Sequence, residues 1–238
     1  KGGTPSGQTN SWKFPNQAIK DYVFEFDTTD HINTNYYYDA TTTPNLSLSF
    51  WCKSNVASNF IFPVSIKTGG NSYTNSIVMQ YNRKLLISDG SWVFGTASIS
   101  DNTWHHVFVT AYYDGTTTSL NMYVDGNTTP DISVSNLGSG TNAYLQGNLY
   151  VGNYNGASNG WPGEVSNVAA WESNQFSNLS NIYNNGLPAT SYTNTPTAWW
   201  KLNAATSSYN PATSTWTITD SAGSNNGTST TLSSTSLI

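Results

Sequence analysis

Between Trp104 and Gly126 apolar and polar positions alternate with the period of two that marks a half-buried β-strand. Val107, Val109 and Ala111 fall on one side of an extended chain, and His106, Phe108, Thr110 and Tyr112 fall on the other. Leu120, Met122 and Val124 repeat the pattern beyond Asp114-Gly115, where glycine accepts positive φ and aspartate bonds nearby backbone. The spacing predicts a β-hairpin ending at Asp125-Gly126, with an aliphatic dry face and a wet face opposite.

The same reading marks strands at 22–26, 46–52, 60–66, 76–82, 84–88, 91–94 with 97–99, and 146–153, separated by Asn, Ser and Gly clusters. Pro63 within one run predicts an edge or a bulge. Further strands are expected at 198–203 and 215–219. Helical spacing appears once, with Ser177 as N-cap, Leu179, Ile182 and Tyr183 on one face and Gly186 after the last turn. That helix is expected to plug one end of the fold. Residues 1–16, rich in Gly, Ser, Thr and Pro without periodicity, read as a flexible arm, and 17–238 as a single domain. The fold class expected is all-β, a two-sheet antiparallel sandwich with one short helix.

Composition narrows the function classes. Only 9% of residues are charged, yet 14% are aromatic and 37% hydrophobic, which suits a packed β domain and not a disordered tract. A net charge of −5 with eight basic residues gives no footprint for nucleic acid. No apolar run approaches the roughly 20 residues of a membrane helix. No signal-peptide pattern opens the chain, which leaves export open, and the expected location is extracellular or a virion surface. Cys52 is the single cysteine, and with Leu46, Leu48 and Phe50 alternating onto its face it reads as a buried, unreactive thiol.

Several blocks carry a resemblance. Trp104-His105-His106-Val107 with Val109-Thr110, then Tyr112 with Asp114-Gly115, then Leu120 with Met122-Tyr123-Val124-Asp125-Gly126, resembles the central hairpin of laminin-G-like domains of the concanavalin A-like lectin/glucanase superfamily. Leu149 to Asn153, Gly163 to Trp171 and Phe176 to Gly186 are similar to that family's closing strands and short helix. The resemblance implies a two-sheet jelly roll whose relatives bind glycans or proteins, often with calcium. Ala198-Trp199-Trp200-Lys201-Leu202-Asn203 and the run from Asp220 to Thr228 resemble elements that in many relatives precede the first strand. Their late position leaves two readings, a circularly permuted sandwich or a hand-over into a neighbouring repeat. The order also resembles virion proteins of marine bacteriophages.

Candidate chemistry is sparse. Retaining glycosidases need two carboxylates about 5 Å apart, and in this family they lie on one strand as E-x-D-x-x-E. Here Glu164 is followed by Ser166 and Ala169, and Glu25-Phe26-Asp27 lacks the third acid, so no enzyme is expected. His105 and His106 are adjacent in a strand and point to opposite faces, and His31 has no evident partner. Calcium wants six to eight hard oxygens, for which Asp27, Asp30 and Asp220, with Asn225, are the candidates, against the alternative of ordinary turn chemistry. Tyr154, Asn155, Asn159 and Trp161 form a loop of aromatics and amides, the first candidate for a sugar site, with Trp92, Tyr112 and the run Tyr36-Tyr37-Tyr38 as further platforms. The function expected is a non-catalytic module binding a surface glycan. The alternative is a structural virion subunit acting through protein–protein assembly with a scaffold or with copies of itself.

Overall fold

The computed structural model describes residues 23–57, 59–67, 79–88, 92–137, 145–153 and 159–238. The expected arm at 1–16 lies outside them. In chain order the strands begin with β1 (Phe24–Phe26), β2 (Ile32–Asp39), β3 (Asn45–Lys53), β4 (Asn59–Ile61), β5 (Val64–Lys67), β6 (Met79–Tyr81), β7 (Lys84–Ser88) and β8 (Trp92–Ser98). The hairpin strands β9 (His105–Tyr113) and β10 (Thr118–Val124) follow, then β11 (Ile132–Leu137), β12 (Gln146–Val151) and β13 (Gly163–Trp171). After helix α1 (Leu179–Tyr183) come β14 (Ala198–Trp200), β15 (Ser207–Asn210), β16 (Thr215–Ile218) and β17 (Gly227–Ser229).

Two sheets make the sandwich. The first runs β1-β13-β3-β9-β10-β11, and β14 lies beside β13 at Val168 to Ala170, beyond the stretch from Gly163 to Val165 that β1 occupies. The second runs β15-β16-β17-β2-β12-β5. Alternate residues of both sheets meet in one apolar cluster: Leu48 and Phe50 of β3, Val109 of β9 and Val165 of β13 share it with Tyr36 of β2 and Leu149 of β12. The antiparallel sandwich is therefore what the alternation predicts, and it is consistent with the jelly roll that the resemblance implies. Cys52 is fully buried in the same cluster, and burial pushes its thiol pKa well up.

Residues after 197 pair with strands of the same chain. Trp199 lies opposite Ala169, Thr228 opposite Asn33, and Trp200, Leu202, Trp216, Ile218 and Leu232 are buried in the common core. The hydrogen bond from Trp200 Nε1 to the Asn225 carbonyl, 2.8 Å, satisfies the one polar atom this indole brings inside.

Four expectations change. The hairpin's second face is not wet: His106 and Phe108 are fully buried and Thr110 nearly so, while Tyr112, further along, is 48% exposed. The cause is α1, which does not plug an end but lies across this outer face, packing Leu179 and Ile182 with Phe108, Tyr123 and Trp171, while the Tyr183 ring stacks on Trp51 at 5.8 Å. Gly126 makes room for it, since a side chain there would strike the Tyr183 ring. Ser177 is not the N-cap; it sits in a 3₁₀ turn, Phe176–Asn178, and Asn178 precedes the helix without a side-chain cap bond. Finally, Pro63 separates two strands that join different sheets, because β4 belongs to a third sheet, β4-β6-β7-β8. Leu85 and Ile87 of β7 reach the main core from that sheet, while Leu86 and Phe62 form a small cluster on its far side.

Candidate functional site

The loop expected to grip a sugar is only partly available to it. Tyr154 and Asn155 lie outside the described residues. Asn159 is half-buried, and Gly160 bridges to Phe62. Trp161 is fully buried in the main apolar cluster, so its ring faces are spent on the core and it offers no stacking platform. An indole following Asn-Gly looks like a loop residue in sequence, but burying it removes far more apolar surface from water than any exposed stacking contact would.

The candidate cation ligands organise turns. Asp220 Oδ1 accepts the backbone N–H of Trp199 at 2.8 Å and those of Ala222 and Gly223 at 3.0 Å, while Oδ2 accepts from the N–H of Asn225 at 3.1 Å. Burial alone would raise its pKa, but these donors hold it below the usual aspartate value. A carboxylate so committed does not fit a calcium ion. Asp27 caps a separate turn, its Oδ1 accepting from Thr29 and Asp30, and Asp30 Oδ2 accepts the Asp27 N–H in return. Among the described residues no three His, Cys, Asp or Glu converge as a metal site would require. Replacing Asp220 with Ala should lower stability by about 2–3 kcal/mol through unsatisfied backbone donors, read as a fall in the denaturant midpoint at unchanged slope; an unchanged midpoint would return Asp220 to the candidate ligands.

His105 and His106 part company as expected of strand neighbours. His105 is clasped by Asp125 at Nδ1 and Asp101 at Nε2, both at 3.0 Å. Burial opposes its charged form, but the two carboxylates outweigh it and raise the pKa. His106 is fully buried against the rings of Trp51, 5.0 Å away, and Tyr183, 5.6 Å away, and shares a 2.9 Å hydrogen bond with Ser49. Both serve the architecture.

The acids are arranged differently from a glycosidase strand. Pairing of β1 with β13 sets Glu25 opposite Glu164, at the rim of a cleft of about 330 Å³ that Asp27, Lys53, Asn55 and Asn102 also line. Lys53 lies on the other side of Glu164 and pairs with it at 3.0 Å, so that carboxylate is already engaged.

Two exposed aromatics stand together on the outer face of the third sheet, whereas Tyr37, Tyr112 and Phe176 are exposed on other elements. Trp92 and Phe94, one strand repeat apart on β8, are 45% and 48% exposed. Phe60 reaches to within 5.2 Å of Trp92 and 5.3 Å of Tyr81, and Tyr81 to 5.5 Å of Phe94, all between ring centroids. The four rings thus form one continuous patch over Leu86 and Phe62. Phe60 holds φ at +56° where the β4–β6 register shifts, a costly conformation for a bulky side chain. Of these four residues sequence reasoning picked out only Trp92. The others come from separate strands, and the available signal was that Trp92, Val93 and Phe94 are apolar on both parities.

The family model described as the concanavalin A-like lectin/glucanases superfamily matches residues 26–177, well over half of the chain. The chain belongs to the concanavalin A-like lectin/glucanase superfamily. Its hairpin, β13 and the start of its helical turn fall inside the match, whereas β14 to β17 fall outside. No curated protein sequence matches this superfamily member. Among solved structures it is similar to a candidate carbohydrate-binding protein from Bacteroides ovatus, with 14% identity and a TM-score of 0.60 over 87% of this chain; this chain spans 57% of that one. Also similar, at lower TM-scores, are a heptameric pentraxin from Limulus polyphemus (0.47, 18% identity, 69% of this chain and 82% of that one) and domains LG4-5 of the mouse laminin α1 chain (0.46, 15% identity, 64% and 42%). At these identities the likenesses concern the fold.

Proposed function

We propose that this superfamily member is a non-catalytic glycan-recognition module whose binding surface is the aromatic face of the third sheet. The observation that carries the reading is the exposure of Trp92 and Phe94 side by side, in a molecule that fully buries Trp161 and Trp200 and nearly all of Trp51 and Trp171. Exposed rings cover the apolar face of a sugar ring while adjacent polar groups bond its hydroxyls. Asn82, in the β6–β7 turn next to Tyr81, supplies an exposed amide at the edge of the patch. The fold likeness to a candidate carbohydrate-binding protein supports the reading without fixing a ligand.

A glycan array probed with the wild type and with Trp92→Ala/Phe94→Ala tests it. Specific responses that vanish in the double variant are expected, with a cooperative melt retained because both side chains are about half-exposed. Silence of the wild type, or responses that survive both substitutions, would refute the surface assignment. Release of reducing ends from any bound glycan would refute the non-catalytic part.

A further inference from the structure

We infer that this aromatic face selects glycans bearing carboxylate or sulfate groups, with Lys84 as the residue that reads their charge. The inference rests on the reading of the face as the glycan-binding surface.

Tyr81 and Lys84 are directly paired across the β6–β7 hairpin, joined by a two-residue turn in which Asn82 and Arg83 hold φ at +47° and +71°. Side chains of directly opposed residues in an antiparallel pair project from the same face, with Cβ atoms about 5 Å apart. Lys84, which is exposed, therefore stands on the side of the sheet that carries the Tyr81 ring, itself 5.5 Å from Phe94 and 5.3 Å from Phe60. Its methylenes can lie along the aromatic patch and leave the ammonium at the rim, where a bound glycan's substituents would project.

Among the described residues of the sheet no carboxylate compensates that charge. The protein has 13 acidic residues and a net charge of −5, yet the described residues of β4, β6, β7 and β8 include no Asp or Glu. The carboxylate that touches β8 is Asp131, and its Oδ1 accepts from the backbone N–H and hydroxyl of Thr96 and the N–H of Ala97. Three other cations among the described residues are occupied elsewhere: Lys53 pairs with Glu164 at 3.0 Å, Lys201 lies 4.2 Å above the Trp199 ring, and Arg83 donates to the Ser100 carbonyl. An apolar ring patch with one positive charge at its edge complements a sugar that combines an apolar ring face with an anionic substituent. A lysine, as a point charge on a flexible stem, places no strict geometry on that anion, so carboxylate and sulfate are equally suitable.

The test is an array of neutral, uronate-bearing and sulfated glycans, followed by titration of the strongest binders into the wild type, Lys84→Gln and Trp92→Ala. Responses should concentrate on the anionic glycans, and responses to uronates alone or to sulfates alone would identify the anion. Lys84→Gln should weaken anionic binders by up to about fivefold, the upper end for an exposed ion pair, and leave neutral binders unchanged. High salt should reproduce the loss in the wild type. If Lys84→Gln and salt leave binding unchanged while Trp92→Ala abolishes it, or if neutral glycans are preferred, the charge inference falls and the glycan surface stands. If no glycan of any charge binds, both fall.

Discussion

A chain ending at residue 197 is expected not to fold. The segment beyond it carries β14 to β17, and its Trp200, Leu202, Trp216, Ile218 and Leu232 lie in the core that joins the two sheets. Full burial of a large apolar side chain contributes about 2–3 kcal/mol, so the five together, about 10–15 kcal/mol, match the upper half of a typical domain margin of about 5–15 kcal/mol. The edge of β13 from Val168 to Ala170 and the edge of β2 at Asn33 would lose their partners as well. Circular dichroism and thermal melting of residues 1–197 should show no cooperative transition. A cooperative melt would mean that the terminal strands are dispensable and that the closure seen here is not required. The single change Trp200→Ala should cost about 3–5 kcal/mol on its own.

The adjacent histidines should give stability a maximum near neutral pH, with opposite signs on its two sides. His106 is held neutral by burial, with Asp125 offsetting only part of that penalty, and its pKa falls from 6.5 to about 4. Between those values the unfolded chain binds the proton and the folded one does not, so stability drops as pH falls from about 6.5 towards 4. A shift of that size corresponds to about 3 kcal/mol. His105 is raised, so its contribution is complete below the unfolded value of 6.5 and is lost as pH climbs through the folded value. Denaturant melts from pH 5 to 6.5, a window above most carboxylate titration, should slope upward in the wild type and flatten in His106→Gln. Superimposable slopes would contradict the burial account.

Much of the fold was legible because strands announce themselves by a period of two. The hairpin of β9 and β10 pairs Val109 with Met122 and Ala111 with Leu120, as the alternation requires. What escaped was whatever depended on a third element. The outer face of that hairpin reads as wet because His106 and Thr110 look polar, and nothing local reveals that α1 and Tyr192 will cover it; Tyr192 packs on Trp171 and Trp199 at 5.0 and 4.8 Å. The run from Tyr36 to Tyr38 has no polar contrast, so its alternation of buried, exposed and buried became visible only once β2 was paired with β12. Asn167, one of two polar residues between Val165 and Val168 in β13, shows no role in the sequence. In the structure its amide accepts from Trp199 Nε1 at 2.7 Å and donates to Tyr192 at 3.2 Å, joining the late strand β14 to β13. The aromatic face was hidden for a simpler reason, since Phe60, Tyr81 and Phe94 are separated by 21 and 13 residues and meet only through strand pairing.

Where a glycan binds is the question that bears most directly on the proposed function. A nuclear magnetic resonance titration of the isotope-labelled protein with the strongest array binder answers it residue by residue. The account predicts saturable shifts of the Trp92 indole and of the amides of β6, β7 and β8, with the Trp200 and Trp161 indoles unmoved in the core. Shifts centred instead on Tyr37 and Tyr150 of the second sheet, or on the cleft between Glu25 and Lys53, would contradict it.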